Sequence, residues 1–229
     1  MADSAFEQRQ AVADLTSLAR RDLDAFWRLL EGLSAEQVRD ALMDVLPELG
    51  GVYGDAAAAL AADWYEDVRE ASQARGSFSP VLASPPEPAR WEALARWGVT
   101  PLFAEQPDAA TALAQVAGGL QRSIADQHRL TVVESSIADP AASGWRRVGV
   151  GDSCRFCRML IDRGHVFTEA TSTFRSHDNC NCAASPSFAP NVVKVSSEPY
   201  RQSKRRRSEA TKKADNARAR AYIADKYGA

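Results

Sequence analysis

Residues 177–182 read HDNCNC, and residues 154–157 read CRFC. Together they contain all four cysteines of the 229-residue chain and one of its three histidines. The complete spacing is C-x2-C-x19-H-x2-C-x-C, which supplies the thiolate and imidazole donors that Zn²⁺ prefers in a tetrahedral site. Two cysteines separated by two residues converge on one point, and nearby backbone N–H groups can donate to their sulfurs. We therefore predict a structural zinc site that organises this part of the chain.

Five candidate ligands compete for the four positions of such a site. Cys154 and Cys157 are the firm pair. In an extended segment Cys180 and Cys182 would point the same way, because side chains two apart share a face. In a turn, His177 and Cys180 could face the metal instead. We favour Cys154, Cys157, His177 and Cys182, with Cys180 competing for the fourth position.

Other uses of these cysteines are weaker hypotheses. Disulfides are disfavoured, because the N-terminus lacks the pattern of a signal peptide and we expect the chain to stay in a reducing compartment. A redox role for C-x2-C lacks a surrounding βαβ pattern. A P-loop, GxSxG, HExxH and the deaminase pattern are all missing from the sequence, so we do not expect an enzyme.

The composition is that of a soluble globular protein, with 45% hydrophobic and 25% charged residues. No apolar run approaches the roughly 20 residues of a membrane span, so we expect no membrane partner. The net charge of −2 hides an asymmetry. Residues 198–229 contain ten Lys or Arg and four acids, whereas the rest of the chain carries a net charge of −8. An acidic body is thus followed by a basic tail.

The N-terminal two thirds have the spacing of amphipathic helices. Ser34 and Gln37 form a capping-box pattern at the start of one helix. We expect that helix to kink or end near Pro47 and the pair Gly50–Gly51. The predicted apolar stripes of the first two helical segments comprise Leu23, Phe26, Trp27, Leu30, Val38, Leu42, Val45 and Leu49.

A linker rich in Pro and Ser occupies residues 75–88, and two further helices follow it. Asp108 can cap the longer one. We expect His128 to be a surface residue of that helix. The short helix is predicted to run through Trp91, Leu94 and Trp97. The inner face of the longer helix is predicted to comprise Leu113, Val116, Leu120 and Ile124.

Short strands and a turn are predicted after residue 144. The strands lie at 145–150, 165–170 and 191–197, with a tight turn over 151–157. A small apolar cluster is expected from Phe156, Leu160, Val166 and Phe167. The segment is too short and polar to bury much core of its own, so metal binding would contribute its folding energy.

The predicted fold is mainly α, in four regions. Residues 1–78 form an N-terminal helical hairpin region, and residues 79–143 form a linker and a second helical region, which together make a helical bundle. Residues 144–190 form a small α+β zinc-binding module. Residues 191–229 form a basic tail that is either helical or disordered.

The cysteine motif carries a resemblance to a known family. The C-x2-C pair, Gly164 followed by Phe167, and the closing HDNCNC, behind a helical body, resemble the MuF-like minor capsid proteins of tailed bacteriophages, in the form common among phages of actinobacteria. The specific part covers about residues 145–190. The family motif often reads H-P-x-C-x-C, and here Asp178 replaces that Pro while every ligand is kept.

This resemblance implies a low-copy structural protein of the phage head, assembled in the host cytoplasm and then enclosed in the virion. Its expected partner is the portal protein or the inner capsid surface, with several copies around the portal vertex. Its expected role is head assembly or the packaging and delivery of DNA.

The basic tail has two open interpretations. It contacts the phosphates of packaged DNA, or it contacts an acidic protein surface. A zinc-containing nucleic-acid-binding protein is therefore the alternative function. The residues predicted to contact nucleic acid are Lys204, Arg205, Arg206, Arg207, Lys212 and Lys213.

Overall fold

A computed structural model describes residues 2–149, 153–162, 164, 166–168, 174, 182–192 and 208–227. Helices dominate these residues, which confirms the mainly α fold class. The helices are α1 (Ala2–Leu29), α2 (Ala35–Ala71), α3 (Pro88–Gly98), a short 3₁₀ helix (Thr100–Phe103), α4 (Ala109–Ala138), α5 (Arg155–Asp162) and α6 (Glu209–Tyr227). The strands are β1 (Gly144–Val148) and β2 (Ala183–Ser187).

The start of α2 is fixed by the predicted capping box. The Gln37 amide donates to the Ser34 hydroxyl at 3.3 Å, and the Ser34 amide donates to the Gln37 side chain at 2.9 Å. Two amides that the helix leaves without carbonyl partners are thereby satisfied. Asp108 likewise caps α4, because its carboxylate accepts the Thr111 amide at 2.9 Å. Both predicted caps are confirmed.

The predicted end of α2 near Pro47 and Gly50–Gly51 is wrong. The helix is continuous from Ala35 to Ala71, with Pro47 inside it. A Cβ added at Gly50 would lie 2.2 Å from the Trp91 ring of α3, and one added at Gly54 would lie 3.2 Å from Gln127 of α4. These glycines therefore allow two helices to approach α2 closely, and that packing outweighs the propensity of Pro and Gly to break a helix.

Helices α1 to α4 enclose one apolar core. Helices α2 and α4 form its most extensive contact. Its fully buried side chains are aliphatic, and Trp91 is the aromatic member among its buried residues. The largest of these aliphatic side chains are Leu23, Leu42, Leu46, Leu120 and Ile124. This unit of α1 to α4 is the helical body.

The segment between α2 and α3 has no regular structure, as predicted for a linker, but it is held against α4. The Val81 amide donates to Ser135 Oγ at 2.9 Å, and the Ala83 amide donates to Thr131 Oγ1 at 3.0 Å. Buried hydroxyls of α4 thus satisfy backbone groups that no helix or strand pairs.

Strands β1 and β2 form a two-stranded antiparallel sheet in which Trp145 is opposite Pro186. The predicted strand at 145–150 is confirmed over residues 145–148. Trp145 directs its own backbone N–H and C=O to Phe167, on the other side of β1. Pro186 can therefore face Trp145 although it lacks an N–H, because this position needs no donor from β2.

Strand β2 was not predicted, because its sequence AASPS has little of the β-branched or aromatic character of strands. The strand predicted at 165–170 is described at residues 166–168 and pairs with Trp145 there. Of the strand predicted at 191–197, only residues 191 and 192 are described, and neither is in a strand. The unit of β1, α5 and β2 confirms the α+β class and is called the cysteine module below.

Among the described residues, no helix combines the length and the hydrophobicity that crossing a bilayer requires.

Candidate metal centre

The first cysteine pair lies at the start of α5. Cys154 directly precedes the helix, and Cys157 is in its first turn. The tight turn predicted over 151–157 is therefore wrong from Arg155 onward, where the chain is helical. The Cys157 amide donates to Cys154 Sγ at 3.4 Å, so a sulfur takes the place of the usual N-cap oxygen. This is the predicted N–H donation to a cysteine sulfur, and it brings the two cysteines together.

The third described cysteine enters from the other end of the module. Cys182 directly precedes β2, and its side chain is buried. Its Sγ lies 3.7 Å from the Oγ of Ser153, the residue before Cys154. Arg129 of α4 fixes its backbone by donating from Nε to the Cys182 carbonyl at 3.0 Å. Cys182 is thus placed next to the segment that carries the first pair.

The complete ligand set stays a prediction. His177 and Cys180 lie outside the described residues. Within the described part of the chain, no group of three or more His, Cys, Asp or Glu side chains is arranged to hold a metal ion.

The interior of the module is built from aromatic rings and arginines. Trp145 stacks on Phe167 with 4.7 Å between ring centroids and packs on Phe174 at 5.5 Å. The Arg147 guanidinium lies 3.8 Å from the centroid of Phe174, and its Nη1 is 3.8 Å from Cys157 Sγ. Arg147 was not among the predicted site residues, although alternation along the predicted strand places it on the same face as Trp145.

The apolar cluster predicted for the module is only partly correct. Val166 is buried, and Phe167 packs against a buried cluster, but Phe156 is 47% exposed. The central residue is instead Trp145, which is 1% exposed. It belongs to a cluster that also contains residues of α2 and α4, so the module packs on the helical body. The buried members contributed by the body are Ala5, Ala61, Trp64, Tyr65, Val68, Val132 and Val133.

A buried ion pair between Arg69 and Asp139 lies where the helical body meets the cysteine module. The Asp139 carboxylate accepts Arg69 Nε at 2.8 Å and the Tyr65 hydroxyl at 3.2 Å. It also accepts the Ala141 amide at 2.9 Å, in the turn that leads to β1. Burial and the adjacent Asp139 raise the pKa of Tyr65, which keeps its hydroxyl as a donor.

His128 was predicted on the surface, and this is wrong. It is 2% exposed and stacks on Trp64, with ring centroids 6.2 Å apart. Burial, together with the nearby Arg129, lowers the pKa of His128 to about 4. The imidazole is therefore neutral at physiological pH and acts as a core residue.

The described part of the basic tail forms helix α6, which contacts α5. Lys212 pairs with Glu209 of the same helix at 2.6 Å. Lys213 is exposed, and within the described residues it has no acidic partner. Four of the predicted nucleic-acid contacts, Lys204 to Arg207, lie outside the described residues.

An apolar cleft of about 340 Å³ lies at the turn between α1 and α2. Leu33 in this cleft is 43% exposed. The cysteine module packs near residue 5 of α1 and residues 61–68 of α2, so it is at the other end of the body. The main apolar residues of the cleft are Trp27, Leu30, Leu33, Val38, Leu102 and Pro107.

A family model described as VG15 protein matches residues 2–208 of the chain. The match spans the helical body and the cysteine module and stops just before α6. No curated protein and no solved structure matches the chain.

Proposed function

The chain belongs to the VG15 protein family, a family of phage proteins, and from this membership we propose that it is a structural minor capsid protein of a tailed phage. The proposed type is MuF-like, on the cysteine motif described above. The proposed location is inside the head at the portal vertex, with a role in head assembly or in DNA packaging and delivery. Its action is proposed to be structural and not enzymatic.

The observation that carries this proposal is the extent of the family match. It covers residues 2–208, and so both structural units belong to the shared architecture. A helical body with a cysteine module at one end and an apolar cleft at the other suits a protein that connects two head components. The cleft supplies apolar area that a portal or inner capsid protein would bury.

A structural Zn²⁺ is part of the proposal. The Cys157 amide donates to Cys154 Sγ, and Cys182 Sγ lies 3.7 Å from Oγ of Ser153, the residue before Cys154. His177 and Cys180 complete the candidate set. The donor chemistry fits zinc, because thiolates and imidazole are its preferred ligands. When bound, the ion would join α5 to the segment that precedes β2 and stabilise the module.

Purified virions test the location. Cross-linking mass spectrometry should detect the chain in the particles, with cross-links from the α1–α2 turn to the portal or an inner capsid protein. Replacing Leu33 by Asp should reduce incorporation at least about tenfold, because losing an apolar hot-spot residue and burying a charge at an interface centre costs about 2 kcal/mol or more. Val52→Asp is the matched control, since Val52 is an exposed residue of α2 that does not line the cleft. Particles that lack the chain would refute the proposal.

The cysteine substitutions test the zinc site. Cys154→Ser should abolish stoichiometric zinc and remove amide protection from the cysteine module, while α1 to α4 stay protected. Elemental analysis and hydrogen exchange measure these two effects. The separate substitutions Cys180→Ser and Cys182→Ser identify the fourth ligand. Unchanged zinc content in Cys154→Ser would contradict the assignment.

The alternative function is nucleic-acid binding by the tail, and one observation favours it. Lys213 and Arg220 are exposed and seven residues apart on α6, and so they share a face. The double variant Lys213→Gln, Arg220→Gln should reduce the slope of log affinity against log salt by about 2 for duplex DNA. Lys212→Gln, whose charge is already paired, should change the slope less. DNA binding by a chain that is missing from virions would favour this alternative.

A further inference from the structure

We propose that Arg147 is the positioning residue of the cysteine site: its buried guanidinium holds the Cys157 sulfur in place and offsets the negative charge of the thiolates. This inference rests on the zinc site proposed above. It concerns a residue outside the C-x2-C and H-x2-C-x-C motifs.

The strand places Arg147 toward the cysteines and Arg146 away from them. Arg147 is 6% exposed, whereas its neighbour Arg146 is exposed on the opposite face of β1. Alternation along a strand produces this difference. The two arginines therefore have the same charge and the same strand but different surroundings.

The aromatic ring of Phe174 fixes the direction of the guanidinium. The Arg147 guanidinium carbon lies 3.8 Å from the ring centroid, which is stacking distance. Phe174 itself is buried and packs on Trp145. Stacking on this ring fixes the plane of the Arg147 guanidinium, and its Nη1 then points to Cys157 Sγ at 3.8 Å. Lys could supply the charge at this position but not the planar stack.

The electrostatics favour the same role. A guanidinium stays protonated inside a protein, and burying it is costly unless anionic or polar groups face it. A zinc ion with three or four thiolate ligands leaves the site with a net negative charge. A charged donor to a ligand sulfur compensates that charge and orients the ligand. Arg129 adds a second buried guanidinium, 5.2 Å from the Phe174 ring.

Zinc affinity measured by competition with a chelator tests the inference. Arg147→Met should weaken binding by about 10- to 100-fold, the usual loss for a group that supports a metal ligand. Arg147→Lys should recover part of that loss, because the charge is kept. Arg146→Met is the matched control and should bind like the wild type.

A spectroscopic measurement separates positioning from simple stability. In Co²⁺-substituted protein, the sulfur-to-cobalt charge-transfer bands should shift in Arg147→Met and stay unchanged in Arg146→Met. Equal affinities and spectra for these two variants would overturn the role of Arg147 while leaving the zinc site intact. A wild-type protein that binds no zinc would overturn the inference together with the zinc site, and the virion location would stand on its own test.

Discussion

The helical body and the cysteine module differ in how they fill their interiors. The body buries mainly Leu, Val, Ile and Ala, and its helices approach closely over glycines at positions 50, 98 and 119. The module buries stacked aromatic rings, Cys157, Cys182 and Arg147 in and beside three short elements. Hydrocarbon burial stabilises the body without partners of special chemistry. Buried charge and sulfur in the module need specific partners, and we propose that a metal ion is one of them.

The two regions also share one layer of packing. Trp64, Tyr65 and Val132 of the body belong to the same buried cluster as Trp145 of the module. The module thus packs against apolar residues of α2 and α4, because a segment this short cannot form a large apolar core by itself. This sharing means that the boundary in the sequence near residue 143 is not a boundary in the packing.

Replacing Trp145 should cause the largest loss of stability, because this residue lies in the buried cluster that the two regions share. Trp145→Ala is expected to cost about 3–5 kcal/mol in the free energy of unfolding, because a fully buried indole leaves a cavity in the shared layer. Chemical denaturation measures the loss, and hydrogen exchange shows where protection disappears. Trp97→Ala is the control, since Trp97 is 48% exposed and should lose far less. Similar losses for both variants would show that Trp145 does not join the regions.

Protonation of His128 should have the next largest effect, and it acts on the same shared layer through Trp64. The folded pKa of about 4 lies below the ordinary histidine pKa of 6.5, so between these values the unfolded chain binds more protons. The contribution is therefore complete above pH 6.5 and is lost as the pH falls toward 4. It amounts to at most about 3 kcal/mol.

His128→Gln tests this contribution. The variant should show a weaker dependence of the free energy of unfolding on pH between 6.5 and 4 than the wild type. Urea denaturation at a series of pH values measures the difference. Parallel curves for the two proteins would contradict a buried neutral imidazole.

A smaller effect tests the close packing inside the body. Gly50→Ala should destabilise the protein by about 1–3 kcal/mol, because the new Cβ meets the Trp91 ring at 2.2 Å. Gly51→Ala should be neutral or stabilising by up to about 1 kcal/mol, because the added Cβ would meet no atom of another segment within 4 Å and Ala favours helix. Thermal unfolding compares the two. Equal melting temperatures would mean that α3 does not pack over Gly50.

Sequence patterns predicted the structure correctly where it depends on residues within one helical turn of each other. The Ser34 and Asp108 caps and the apolar stripes were predicted, because caps and stripes depend on residues three or four apart. The pair Gly50–Gly51 led to a wrong prediction, because glycine is common both where helices end and where two helices pack closely. His128 misled it too, since the stacking partner Trp64 is distant in the sequence.

The sequence predicted the candidate ligands of the site but not the residues that surround them. The C-x2-C spacing indicated a cysteine pair, and the Cys157 amide does donate to Cys154 Sγ. Strand alternation could place Arg147 on the same face as Trp145. Its contacts with Phe174 and Cys157 could not be predicted, because they join separate segments of the chain. The helical start of α5 also replaced the expected turn at Arg155.

The sequence alone determined the starts of α2 and α4, the mainly helical class and the clustering of cysteines, because each of these depends on neighbouring residues. The tertiary structure decided that α2 runs through Pro47, that His128 is buried and that the module packs on the body. Each of these outcomes depends on contacts between segments that are far apart in the chain, and packing energies there exceed local conformational preferences.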